Sequence, residues 1–188
     1  MDRLCFLIGA PHCGKSTLGR RVSELTHVPF YDTDEMVREE MGETRISDAF
    51  SSYAHIRFQK AQRNAIQTLA NLNGPAIIAT GAEIALIPEC VAVMQNTGLI
   101  IHIKRDIERI LDELRSSVGS RPVLVEVNNG TILDFRERTV LAFADDLPNY
   151  EVAADFTVNN NGSEDDGVGL LHMLIQAIMK TADDSEDY

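Results

Sequence analysis

Gly9-Ala-Pro-His-Cys-Gly14-Lys15-Ser16 sets two glycines, a lysine and a hydroxyl at the spacing G-x-x-x-x-G-K-[ST]. That combination suits the phosphates of a nucleotide. Glycines let the backbone turn tightly enough for successive N–H groups to face phosphate oxygens. A helix beginning near Lys15 adds unpaired N–H groups and the positive end of its dipole. Lys15 is spaced to reach the β- and γ-phosphates, Ser16 to ligate Mg2+, and Thr17 to support the first helical turn. Cys13 fills a variable position of the loop. A thiol at a helix start can be reactive, whereas a small residue that merely fills space is the plainer reading.

Two further stretches add chemistry. In FYDTDEM, Asp32 and Asp34 stand at i and i+2, which directs both carboxylates to one side of an extended chain. One is suited to holding Mg2+ through water, the other to accepting a hydrogen bond or proton from an acceptor hydroxyl. The run DTDE also suits a helix start, and the two roles are compatible. In SSVGSRPVL, behind a segment carrying Arg109 and Arg115, Arg121 has the setting of a mobile lid over the phosphates. There it would neutralise charge that develops in transfer, and closure would exclude water. An ordinary surface arginine before a proline turn is the alternative.

The elements that must position these groups read as an α/β protein with a parallel sheet, short apolar runs alternating with longer amphipathic segments. Strands are expected at Leu4–Ile8, Val28–Tyr31, Ala76–Ala79, Leu99–Ile103 and Phe156–Val158. Helices are expected at Lys15–Leu25, Glu35–Met41, Ile46–Ala70, Pro88–Gln95, Ile107–Ser116, Ile132–Ala144 and Asp166–Met179. LNGP, NTG and NNNGS punctuate them as turns. The expected organisation is one domain over residues 1–180 and an acidic, solvated tail over 181–188.

Composition narrows the partners. The chain of 188 residues carries a net charge of −12, from 17 basic and 29 acidic residues, which argues against a nucleic-acid or anionic-membrane surface. No apolar run approaches the length of a membrane span. Leu4–Ile8 is a strand's length and leads straight into Gly9, so it does not read as a signal peptide. Cys5, Cys13 and Cys90 have no paired spacing, and the five histidines are dispersed, so neither a disulfide framework nor a zinc site is expected. A monomer in the reducing cytoplasm is the expectation.

Taken together, GAPHCGKST, FYDTDEM, Arg57, IIATGAE, SRPVL and YEVAADFTV resemble, in order and spacing, the shikimate kinase family of small P-loop kinases. The resemblance implies a three-layer P-loop kinase fold, a five-stranded parallel sheet flanked by helices, with a lid. It implies ATP and Mg2+ on the loop that contains Gly9, Cys13, Gly14, Lys15, Ser16 and Thr17, with Asp32 near the metal. It further implies Asp34 facing the acceptor, Arg57 contacting the acceptor's carboxylate, and Arg121 as the lid arginine over ATP.

The departures fall on the acceptor side. Where the family shows T-G-G-G, this chain has Thr80-Gly81-Ala82-Glu83, adding bulk and a negative charge. Thr80 and Glu83 also have the spacing of a helix capping box. The family pattern R-x-P-x-Y becomes DLPNY, so Asp146 replaces an arginine that would clamp the acceptor's carboxylate. Losing one such charged pair costs about 2–5 kcal/mol. Lys60 stands where the family carries a glutamate three residues after Arg57. Two added carboxylates make an anionic acceptor a poorer fit than a neutral polyol or a cation. The leading expectation is ATP-dependent phosphotransfer to a hydroxyl of a small molecule, shikimate kinase-like. A different acceptor (sugar, polyol, amine or nucleotide) and a non-catalytic ATP-binding module are the alternatives.

Overall fold

Leu4–Ile8 (β1) is a run of five buried apolar residues, the signature of a strand covered on both faces. The computed structural model describes residues 3–42, 52–116, 125–128, 131–134, 140–142 and 144–183, and places β1 at the centre of a five-stranded sheet. After β1 come Lys15–Thr26 (α1), Phe30–Asp32 (β2), Thr33–Met41 (α2), Ser52–Ala70 (α3) and Ala76–Ala79 (β3). Pro88–Thr97 (α4), Gly98–Lys104 (β4), Ile107–Ser116 (α5), Val125–Asn128 (β5) and Thr131–Asp134 (β6) follow. Leu147–Ala153 (α6), Phe156–Asn159 (β7) and Glu164–Asp183 (α7) complete the described elements. The sheet order is β2-β3-β1-β4-β7, parallel throughout, with Leu7 level with Ala79 on one side and Ile101 on the other.

Alternation along β1 divides the core into two layers. Cys5 and Leu7 pack with Leu18 and Val22 of α1, Ile110 of α5 and Leu171 and Ile175 of α7. Leu4, Phe6 and Ile8 face the other way, onto Ile66 and Leu69 of α3, Met94 of α4 and Tyr150 of α6. The result is the three-layer arrangement expected, with every parallel strand ending on the same side of the sheet, where ligands bind in open α/β folds. All three cysteines are buried and free, and burial pushes the Cys5 thiol to about 12.

The structure corrects the sequence reading at several elements. The helix expected over Ile132–Ala144 is contradicted at its start: Thr131–Asp134 is a strand, antiparallel to Val125–Asn128; among the described residues of that range 140–142 are helical and a 3-10 turn begins at Ala144, while 135–139 and 143 lie outside the described residues. The alternation Val125, Val127 around Asn129-Gly130 is a hairpin signal that outweighs the helical pattern. The second strand lies at Phe30–Asp32, not Val28–Tyr31. The following helix begins at Thr33 because Asp32 caps it, its side chain accepting from the Asp34 N–H. Helix α3 is described from Ser52; residues 46–51 of the expected helix lie outside the described residues. Besides the β5–β6 hairpin, the sequence reading did not foresee α6, which starts with proline in its first turn, or a 3-10 turn at Ala82–Leu86. Helix α7 continues to Asp183, into the expected tail, of which residues 184–188 lie outside the described residues.

Candidate active site

The nucleotide loop joins β1 to α1 through three residues with positive φ: Gly9 (+144°), His12 (+61°) and Gly14 (+103°). Gly14 also faces a close neighbour, since a Cβ there would lie 2.5 Å from Asn160 Nδ2. Asn160, buried just beyond β7, donates from Nδ2 to the Cys13 carbonyl at 2.9 Å and from its backbone N–H to Lys104 O at 2.8 Å. It braces the loop from the last strand. The sequence reading missed it inside the NNNGS turn, although its place at a strand's carboxyl end was the available signal.

Lys15 is almost fully buried and folds back over its own loop, donating from Nζ to Gly9 O and Ala10 O, each at 2.8 Å. Cys13 Sγ accepts from the same ammonium at 3.7 Å and is itself buried. Ser16 donates from Oγ to Asp32 Oδ2 at 2.6 Å, and Asp32 Oδ1 accepts from the Asp34 N–H at 3.0 Å. Asp32 therefore links the nucleotide loop to the start of α2 while capping that helix. A hydroxyl and a carboxylate side by side form a hard oxygen pair that fits Mg2+, which typically keeps waters and takes phosphates as further ligands. Consistent with that partial donor set, no cluster of three or more His, Cys, Asp or Glu among the described residues is arranged for a metal.

The acceptor end is built where β3 stops. Thr33, fully buried, accepts from the Gly81 N–H at 2.9 Å. Gly81 has φ −60°, so glycine is required here by proximity: a Cβ would sit 2.7 Å from Asp34 Oδ1. Thr80 donates its hydroxyl to Leu7 O at 3.0 Å, and the turn that starts at Gly81 has no side-chain cap, so the Thr80–Glu83 capping box does not form. Tyr150 ties α6 to this turn, donating to Ala82 O at 3.1 Å from a fully buried ring stacked on His102 at 5.5 Å. Burial drives the His102 imidazole down to about 4 and keeps it neutral, and burial raises the Tyr150 phenol.

One cavity of about 610 Å³ joins the two ends. Gly14, Lys15, Ser16 and Thr17 border its donor end, and Asp34, Gly81, Ala82 and Glu83 its acceptor end. Gly9, Cys13 and Asp32 stand behind the wall and do not line it. Arg57 is exposed on α3 and is not on the wall; neither is Asp146, which precedes α6 and accepts from Asn149 Nδ2 at 3.5 Å. Arg121 lies outside the described residues. Gln62 lines the cavity and was not foreseen; as a polar residue in a helix it gave no sign of facing inward. The Asp34 carboxyl is raised above the ordinary aspartate range by burial first and then by Asp32, with Glu83 adding to the effect and Lys15 and Arg38 opposing it.

His12 occupies the left-handed region, a conformation costing an L-residue roughly 1–2 kcal/mol. Part of that is regained by His12→Gly, less the roughly 0.5–1 kcal/mol that glycine's freedom costs the folded state. We expect the variant to melt about 2–4 °C higher per kcal/mol recovered. A lower melting temperature would show that the imidazole's own contacts outweigh the backbone strain.

A family model described as shikimate kinase matches residues 11–182. The chain belongs to the shikimate kinase family. A curated shikimate kinase from Clostridium botulinum (strain Alaska E43 / Type E3) is 29% identical over 175 residues, covering 93% of this chain and 98% of that one. Among solved structures, a shikimate kinase from Bacteroides thetaiotaomicron aligns with a TM-score of 0.76 at 22% identity, covering 94% of this chain and 99% of that one. A shikimate kinase from Acinetobacter baumannii in complex with shikimate aligns with a TM-score of 0.73 at 22% identity, covering 96% and 95%. At such identities the structures show a shared fold. Membership of the shikimate kinase family makes this chain a small-molecule kinase, an ATP-dependent phosphotransferase with a hydroxyl as acceptor group.

Proposed function

We propose that this kinase holds MgATP over residues 9–17 and passes the γ-phosphate to a hydroxyl of a shikimate-like polyol beside Asp34. The observation that carries the proposal is the hydrogen-bonded path Ser16–Asp32–Asp34, which joins the loop's hydroxyl to a carboxylate on the acceptor wall of the same cavity. Ser16 and Asp32 would hold Mg2+, which when bound neutralises phosphate charge. Lys15 exchanges its two carbonyl partners for phosphate oxygens and stabilises charge on the transferred group. Asp34, its carboxyl raised and therefore more basic, orients the acceptor hydroxyl and takes its proton. Arg121 takes the lid role that the family pattern assigns to it. Among the described residues no helix is long and apolar enough to cross a membrane, and the free cysteines suit a reducing compartment. We assign the protein to the cytoplasm, as a monomer.

The test is ADP release with ATP, Mg2+ and a panel of polyol acceptors headed by shikimate. ADP formation that depends on both acceptor and Mg2+ is expected. Tight ATP binding with no acceptor-dependent ADP would instead favour a non-catalytic ATP-binding module.

A further inference from the structure

Asn160, 3% exposed, stands just beyond β7, and its amide fills the room between two glycines from distant segments. A Cβ on Gly14 would lie 2.5 Å from Asn160 Nδ2, and a Cβ on Gly167 of α7 would run into Asn160 Oδ1. The backbone N–H of Asn160 is anchored on Lys104 O at 2.8 Å, so the end of β4 fixes the point from which the amide reaches out. From there Nδ2 donates to the Cys13 carbonyl at 2.9 Å.

That bond decides where the next donor points. The Cys13–Gly14 peptide is trans and planar, so its C=O and N–H face opposite ways. With the carbonyl tied to Asn160, which stands off the cavity wall, the Gly14 N–H is turned to the other side, where Gly14 borders the cavity. No backbone carbonyl among the described residues takes that N–H. Glycine at φ +103° tolerates either sense of φ, so its own conformation does little to stop this peptide from flipping. The Asn160 hydrogen bond selects one setting. Backbone N–H groups turned inward make an anion-binding concavity, whereas a flipped peptide would present its carbonyl to the phosphates.

We propose that Asn160 is a positioning residue for the nucleotide: through the Cys13 carbonyl it aims the Gly14 N–H at a phosphate oxygen, and it touches no phosphate itself. This rests on nucleotide binding at residues 9–17 proposed above, and adds to that site a residue from the far end of the chain.

The experiment combines steady-state kinetics, with ATP and shikimate, and an ADP titration followed through backbone amide resonances. Asn160→Leu keeps the outline of the side chain without its donor, and Asn160→Ala removes the donor and adds no bulk. Both are expected to raise KM for ATP about five- to tenfold, the scale of one lost hydrogen bond. KM for shikimate and kcat should stay within about twofold, because a donor that grips ground and transition states alike acts on binding. The Gly14 amide proton should move downfield as ADP binds to the unmodified protein, and by less than about half as much in either variant. Gly167→Ala, which crowds the amide from α7, should raise KM for ATP about threefold and add nothing once Asn160→Ala has made room. An unchanged KM for ATP in both Asn160 variants, an equal rise in KM for shikimate, or an undiminished Gly14 shift overturns the proposal and leaves nucleotide binding intact. ADP that moves no amide of residues 9–17 in the unmodified protein overturns the nucleotide reading, and the proposal with it.

Discussion

Lys15→Ala is expected to lower kcat by about a hundredfold to a thousandfold, the usual loss for one preorganised donor to a developing anionic charge. The ammonium sits nearly buried at the junction of loop and helix, already held by two loop carbonyls at 2.8 Å. It is thus held at the loop before the nucleotide arrives and exchanges these carbonyls for phosphate oxygens. Removing it deletes two hydrogen bonds to charged nitrogen, worth about 1.5–3 kcal/mol each, so some fall in melting temperature accompanies the loss of rate. Lys15→Arg is expected to rescue little, because a planar five-donor fork does not replace a compact point charge in so tight a loop. Single-turnover rates at saturating ATP separate the chemical step from binding. A kcat within tenfold of the unmodified enzyme would remove Lys15 from the transfer step.

The donor half of this site was legible because it is contiguous. One strand, one turn and one helix start bring Gly9 to Ser16 together, so spacing alone revealed the loop, although Asn160 braces it from 147 positions away. The parallel strands were legible for a related reason: buried on both faces, Leu4–Ile8 and Ala76–Ala79 read as uninterrupted apolar runs. The acceptor half depends on approaches between distant segments. Tyr150 reaches Ala82 across 68 positions, and Gly81 reaches Thr33 across 48. Nothing local in the sequence announces such pairs. Gln62 is the sharpest case, since a glutamine in an amphipathic helix is expected outside, and only packing against Gly81 shows it inside. Gly81 was singled out within the run that departs from T-G-G-G on the acceptor side, and the structure requires glycine there for the room Asp34 takes. Glu83 stands on the wall as its departure from the family pattern suggested, but Asp146 stands off it, so the two acidic departures are not equivalent.

Asp34→Asn is expected to separate stability from activity. Transfer should fall by about a hundredfold to ten-thousandfold, because the amide cannot take the hydroxyl proton. Stability should move the other way. The folded carboxyl is raised above the ordinary aspartate value of 3.8, chiefly by burial and by Asp32, so ionising it opposes folding. Below 3.8 the group is protonated in folded and unfolded chains alike, and the shift subtracts nothing from the unmodified protein. As pH rises through the raised value, the folded chain must hold a charge that the unfolded chain bears more easily, and stability is lost. The asparagine variant has no such charge, so its melting temperature should exceed that of the unmodified protein at pH 7, the gap closing as pH falls toward the ordinary aspartate range. The acidic limb of the kcat/KM profile, where protonated Asp34 no longer serves as base, should lie above that range and vanish in the variant's residual activity. Equal melting temperatures at neutral pH would show that burial and Asp32 do not load Asp34 with the strain assigned to it. A retained acidic limb would hand the base's role to another group.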